Sequence, residues 1–147
     1  MPESMKGTSN MDTYIKSRRG RILVVCALAI SVLGAGVAYA RHIASYDLIV
    51  PRFGSAVAYT HPLTKVNYSR GVDNNRSIGG GRSMYSAIYR GTRQVTPRRL
   101  ISSGSRVLHS YYSGQNQPGT GYRLGHRSRF TEPYRIQTRG SWSPDER

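Results

Sequence analysis

Beyond residue 40 this chain shows no helical period; two-residue alternation recurs instead, broken by turn residues about every 8 to 12 positions. Tyr46, Leu48 and Val50 alternate with Asp47 and Ile49 until Pro51 stops the run, and Val57 and Tyr59 follow before the turn His61-Pro62. Thr64 to Tyr68 is a third candidate strand. Ser83 to Tyr89 has apolar groups on both faces, which suits a central strand. Gln94 to Thr96 and Arg99 to Ile101 are short pieces split by Pro97, as on a sheet edge, and Arg106 to Tyr112 is longer. Residues 70–82, RGVDNNRSIGGGR, read as a loop because asparagine, glycine and arginine supply no buried face. Residues 113–121 read as a second loop.

The alternation is strongest near the end of the chain. Tyr122, Leu124 and His126 oppose Arg123, Gly125 and Arg127; Tyr134, Ile136, Thr138, Gly140 and Trp142 oppose Arg135, Gln137, Arg139 and Ser141. Such a pattern predicts an all-β fold, an antiparallel β-sandwich of about six to eight short strands, with a small barrel as the other closure. Its expected core is Leu48, Val50, Tyr59, Ile88, Leu124, Ile136 and Trp142. If the last two runs form a hairpin, Arg123, Arg127, Arg135 and Arg139 project from one face. Four guanidiniums so placed repel each other until an anion intervenes, and that face is the candidate anion-binding site.

Ahead of this region lies an uncharged apolar run, Ile22 to Ala40, preceded by Lys16, Arg18, Arg19 and Arg21. A basic flank, an apolar stretch and the small-x-small ending Ala38-Tyr39-Ala40 are the parts of a secretory signal. The run is also long enough to serve as an uncleaved membrane anchor helix, since a spanning helix needs about 17 to 25 residues. Gly34 and Gly36 loosen its end and favour cleavage after Ala40. The expected organisation is therefore a leader and signal peptide over residues 1–40 and an exported domain over 41–147, with Met1 or Met11 as the start. Either way the domain is expected outside the membrane, secreted or on the outer face of the cell envelope.

The one cysteine, Cys26, lies inside the apolar run, so residues 41–147 can form no disulfide. A cysteine-free exported domain of this size suits a bacterial envelope. The chain holds 22 Lys+Arg against 7 Asp+Glu. Residues 1–40 contain five of those cations and two of the acids, which leaves seventeen against five, all arginine but for Lys65. A surface this basic is expected to hold an anionic cell-wall polymer or an anionic membrane surface; nucleic acid is not the expected physiological partner of an exported chain.

Side chains for catalysis are sparse. The acids after residue 40 are Asp47, Asp73, Glu132, Asp145 and Glu146, and His42, His61, His109 and His126 lack metal-ligand spacing. His109 and His126 could sit on neighbouring strands, where a structural role is expected. No nucleophile-elbow pattern occurs. Gly119-x-Gly121-x-x-x-Gly125 runs into a β-pattern instead of opening a helix, which excludes a dinucleotide site. No enzyme activity, metal or cofactor is expected.

The ending, a Gly-Thr-Gly turn, then Tyr122-Arg-Leu, then Gly140-Ser-Trp142-Ser-Pro144-Asp145, resembles a group of small secreted β-rich proteins of Gram-positive bacteria that close on a G-x-W-S-P-D motif. The resemblance implies secretion and a β-sandwich, and no activity. The architecture is also similar to lactococcin-type bacteriocins, so a secreted antimicrobial protein is the alternative. This chain departs from them in its longer mature region.

Overall fold

The computed structural model describes residues 40–147. The basic leader, nearly all of the apolar run, Cys26 and Ala38 lie outside the described residues; Ala40 lies within them, exposed and ahead of the first strand. No helix among the described residues is long and apolar enough to cross a membrane.

The described chain is all-β, and its strands pair antiparallel in two sheets. The first sheet contains β1 (Ala44–Val50), β4 (Gly71–Ile78), β8 (Arg106–His109) and β10 (Ile136–Ser143), in the order β1-β10-β4-β8. The second contains β2 (Ala58–Tyr59), β3 (Leu63–Thr64), β5 (Met84–Arg90), β6 (Arg93–Gln94), β7 (Arg99–Ile101) and β9 (Gly121–Ser128). Its centre is the pair β5–β9; β2 and β3 continue it beyond β9, and β6 and β7 beyond β5. Ten strands thus replace the six to eight expected, and the surplus is in two- and three-residue pieces that pair alongside β5 or β9.

The inward faces of the two sheets share one interior. One cluster joins Tyr46 and Trp142 of the first sheet to Ile88, Tyr122 and Leu124 of the second, with Leu48 partly buried against it. The other joins Val50, Ile78 and Ile136 to Met84 and Ile101 and fills the opposite end. The expected core residues sit here, except that Tyr59 is half-buried on the outer side of the second sheet.

Two expectations about the longer strands also fail. Residues 71–78, read as loop, are β4, which pairs with β10 on one side and β8 on the other. Its inward residues include Asp73 and Asn75, so the buried face is polar and gives no apolar alternation. The hairpin between β9 and β10 does not form either: β9 belongs to the second sheet and β10 to the first. Segment 129–135 crosses from one layer to the other: β9 is flanked by β5 on one side and β2 and β3 on the other, and β10 by β1 and β4, so neither strand has an edge left for its neighbour in sequence.

Candidate anion-binding face

Splitting β9 from β10 separates the four arginines. Arg123 and Arg127 lie on the outer face of the second sheet, because Tyr122, Leu124 and His126 of the same strand point inward. Arg139 lies on the outer face of the first sheet, its Nε 2.9 Å from Asp47 Oδ2, and both side chains are exposed. A Gln137 amide hydrogen bond and the Arg139 charge hold the Asp47 carboxyl below its ordinary range despite some desolvation. Arg135 sits in the crossover segment beside Tyr134. The single four-arginine face is thus replaced by a pair, Arg123 and Arg127, four residues apart along one strand and about 13 Å from each other.

What lies around that pair is more specific than charge. Register sets Tyr89 opposite Arg123 and Tyr85 opposite Arg127, with Ala87 opposite Gly125 between them. Tyr59 of β2 also faces Gly125, and its ring meets Tyr89 edge-on at 5.1 Å. Gly125 is required here: a Cβ would come within 2.5 Å of Tyr89 and 2.7 Å of Val57. The glycine lets Tyr89 lie across the strand, between the two arginines. Burial and the Tyr59 hydroxyl push the Tyr89 phenol up, against the charges of Arg98 and Arg127. Arg98 is therefore a third cation at this hydroxyl, steadied by its Nε donating to Gln94 Oε1 at 3.1 Å. Arg127 is steadied by its Nε donating to Gly54 O at 2.6 Å, which leaves its terminal nitrogens free of that bond. Tyr85 and Leu100, register partners on β5 and β7, complete an aromatic and aliphatic floor that is partly open to solvent.

Carboxylates are committed elsewhere. The five acids of residues 41–147 each have a basic partner: Asp47 pairs with Arg139, Glu132 with Arg82, Asp145 with Lys65 and Glu146 with Arg70, and Asp73 shares a hydrogen bond with His126. Thirteen of the sixteen arginines have no carboxylate partner among the described residues.

Two of those pairs are buried, and two-residue alternation gave no notice of either. Asp73 of β4 accepts hydrogen bonds from Tyr46 at 2.8 Å, Ser86 at 2.7 Å and His126 Nε2 at 2.9 Å. Burial alone would raise this carboxyl, but these donors outweigh it and hold it below its ordinary range. His109 Nε2 lies 3.1 Å from Ser86 Oγ. His109 is on β8 of the first sheet and His126 on β9 of the second, so they meet across the interior and are not on neighbouring strands. Burial drives the His109 imidazole down to about 4 although Asp73 opposes the shift. Serine, histidine and aspartate are within bonding distance here, but all four side chains are fully buried and the serine hydroxyl is donated to the carboxylate. The arrangement joins the sheets, with Asn75 extending it to Tyr46 and Thr138.

The second buried pair explains the terminal motif. Lys65 Nζ donates to Asp145 Oδ1 at 2.9 Å, Pro144 O at 2.5 Å and Ser69 O at 2.6 Å, and lies 4.4 Å from the centre of the Tyr111 ring. Asp145 also accepts from the Val66 and Asn67 amides. Burial pulls the Lys65 ammonium below its ordinary range, against Asp145. That Lys65 is the one lysine among sixteen arginines was the only sequence hint of a site requiring a compact ammonium.

Comparison with protein-family models, with curated proteins and with solved structures finds no match to this chain.

Proposed function

We propose that residues 41–147 act as an exported β-sandwich domain that binds an anionic polymer of the cell envelope along the outer face of the six-stranded sheet, without catalysing a reaction on it. The observation that carries this reading is the segregation of charge: every carboxylate of the domain is paired elsewhere, while Arg98, Arg123 and Arg127 surround tyrosines on a face with no acid. Guanidiniums give bidentate bonds to phosphate or carboxylate, and the tyrosines offer ring faces and hydroxyls to the backbone of the polymer. Cations spaced along one strand of a sheet face suit an extended ligand better than a small molecule. Export rests on the apolar run and its basic flank.

The test is retention of the protein on immobilised poly(glycerol phosphate) at two salt concentrations. Arg123→Gln/Arg127→Gln is expected to reduce the slope of log affinity against log salt by about 1.5, as loss of two phosphate contacts requires. Arg76→Gln/Arg106→Gln, which removes the same charge from the other sheet, is expected to change it much less. Equal loss from both double variants would reduce the face to general net charge and end the proposal.

A second reading, a secreted antimicrobial acting on a target membrane, draws on the exposed aromatic side chains at one end of the domain. Growth inhibition of related strains by purified protein is its test.

A further inference from the structure

Both phenylalanines of the chain, Phe53 and Phe130, are exposed, and they are brought together at one end of the two sheets. That end is built from the turn Arg52–Gly54 after β1, the turn Gly79–Gly81 after β4 and the crossover segment 129–135. The pairings Val50 with Ile136, Ile78 with Thr138 and Met84 with Ser128 place all three at the same end. Phe130 is 84% exposed, Ile49 64%, Tyr134 62% and Phe53 45%. Scattered exposed apolar residues need no explanation, but four at one tip form a patch.

The patch rests on a tied backbone. Phe53 N–H donates to Glu132 O at 2.6 Å, and Gly54 N–H to Ser128 Oγ at 2.9 Å. A Cβ on Gly54 would lie 3.0 Å from Ser128 O and 3.8 Å from Phe130 N, so the backbones carrying the two phenylalanines touch. Phe53 has φ 55 and ψ 25, a left-handed conformation that is unfavourable for a bulky side chain and rare outside glycine and asparagine. Strain of this kind persists where the surrounding structure imposes it, and it marks functional positions.

Cations surround the apolar groups. The Arg52 guanidinium lies 5.7 Å from the Phe53 ring centre and that of Arg82 4.7 Å from Tyr134, while Arg129 and Arg135 are exposed alongside. The one carboxylate of the tip, Glu132, is bound by Arg82. Arg82 and Arg135 also line a hollow of about 270 Å³ between Tyr134 and the Gly79–Gly80 turn.

We propose that this end of the domain docks on an anionic lipid bilayer. Phe53, Phe130 and Ile49 enter the boundary between headgroups and acyl chains, Tyr134 lies at headgroup level, and Arg52, Arg129 and Arg135 meet lipid phosphates. A bilayer presents an apolar layer beneath an anionic one, and the tip presents apolar side chains ahead of cations; a soluble polyanion has no counterpart for the phenylalanines. The tip is at the end of the sheets and touches the Tyr–Arg face at one bond, Arg127 Nε to Gly54 O, and none of Phe53, Phe130, Ile49 and Tyr134 belongs to that face. The chain enters β1 at Ala44, at the opposite end, about 20 Å from the tip.

The test uses the full chain carrying Phe130→Trp, with emission and quenching as the readout because the apolar run can itself hold the protein on vesicles. The native Trp142 is fully buried and gives a constant background. With phosphatidylglycerol vesicles the introduced indole is expected to shift to the blue and to be quenched by lipids brominated in the acyl chains; phosphatidylcholine vesicles are expected to do neither. Adding Phe53→Asn, which suits a left-handed backbone but removes the ring, is expected to raise the midpoint of that lipid titration about tenfold without lowering the unfolding midpoint. Emission that ignores phosphatidylglycerol overturns the proposal, as does an equal response to phosphatidylcholine. A shift that grows with protein concentration in the absence of lipid would assign the tip to a second copy of the chain, and a shift produced by soluble polyphosphate would assign it to a polymer; either result overturns bilayer docking.

Discussion

At the scale of residues, the interior of this domain holds two buried polar clusters, one around Asp73 and one around Lys65–Asp145, whose energetics differ from those of its apolar core. His109 is neutral in the fold down to about pH 4, whereas an exposed histidine takes up its proton near 6.5. Between those values the unfolded chain holds more protons, so stability falls as pH is lowered from 6.5 to 4, by up to about 3 kcal/mol. Asp73 adds to this limb at lower pH, because its depressed carboxyl gives stability that is lost as pH falls through its folded pKa. Urea midpoints measured from pH 7 to 4 are expected to fall for the native chain and to stay flatter for His109→Gln; parallel curves would mean that His109 is not the titrating group. The Lys65–Asp145 pair predicts an asymmetry. Asp145→Asn leaves an ammonium buried without its counter-charge and is expected to cost about 3 to 5 kcal/mol, while Lys65→Met/Asp145→Asn recovers much of that loss. A double variant no more stable than the single one would contradict this account. Trp142 is fully buried, and Trp142→Ala is expected to cost about 3 to 5 kcal/mol by denaturant unfolding; a cost below about 1 would contradict its place in the core.

At the scale of elements, Gly125 shows how one position organises a strand pair. Gly125→Ala would drive a methyl into Tyr89 and Val57 and is expected to cost about 1 to 3 kcal/mol and to expose Tyr89 to solvent quenchers of its fluorescence. Legibility in the sequence followed the same physics. β1, β9 and β10 were readable because their inward residues, largely aliphatic or aromatic, alternate with mostly polar ones, and β5 because apolar residues occupy both of its faces. β4 was not, because its inward Asp73 and Asn75 are satisfied by Tyr46, Ser86, His126 and Thr138, none of which is near it in sequence. The same gap hid half of the candidate site. Arg123 and Arg127 were visible as outward residues of one run, but their neighbours Tyr59, Tyr89 and Arg98 arrive through strand pairing and β-edge geometry that alternation does not encode. Pairing β9 with β10 was the natural inference from their adjacency, but both edges of each strand are taken by strands distant in sequence, β5 and β2 for β9, β1 and β4 for β10.

At the scale of the whole molecule, charge, aromatic side chains and carboxylates are sorted among different surfaces. The six-stranded sheet presents tyrosines and arginines, the four-stranded sheet presents the Asp47–Arg139 pair, and one end presents Phe53 and Phe130. The opposite end, where the chain enters β1, is closed by Trp142 and the Lys65–Asp145 latch. On the proposed reading, polymer lies along the flank and lipid meets the tip; Arg123 and Phe130 separate the two contacts by mutation, whereas Arg127 also holds the tip turn through Gly54 O. The most direct measurement is NMR of the arginine side-chain Nε–H groups during titration with poly(glycerol phosphate). Early, saturating shifts are expected at Arg98, Arg123 and Arg127, with Arg76, Arg106 and Arg139 little changed. Uniform shifts across the arginines, or saturation first on the four-stranded sheet, would contradict it.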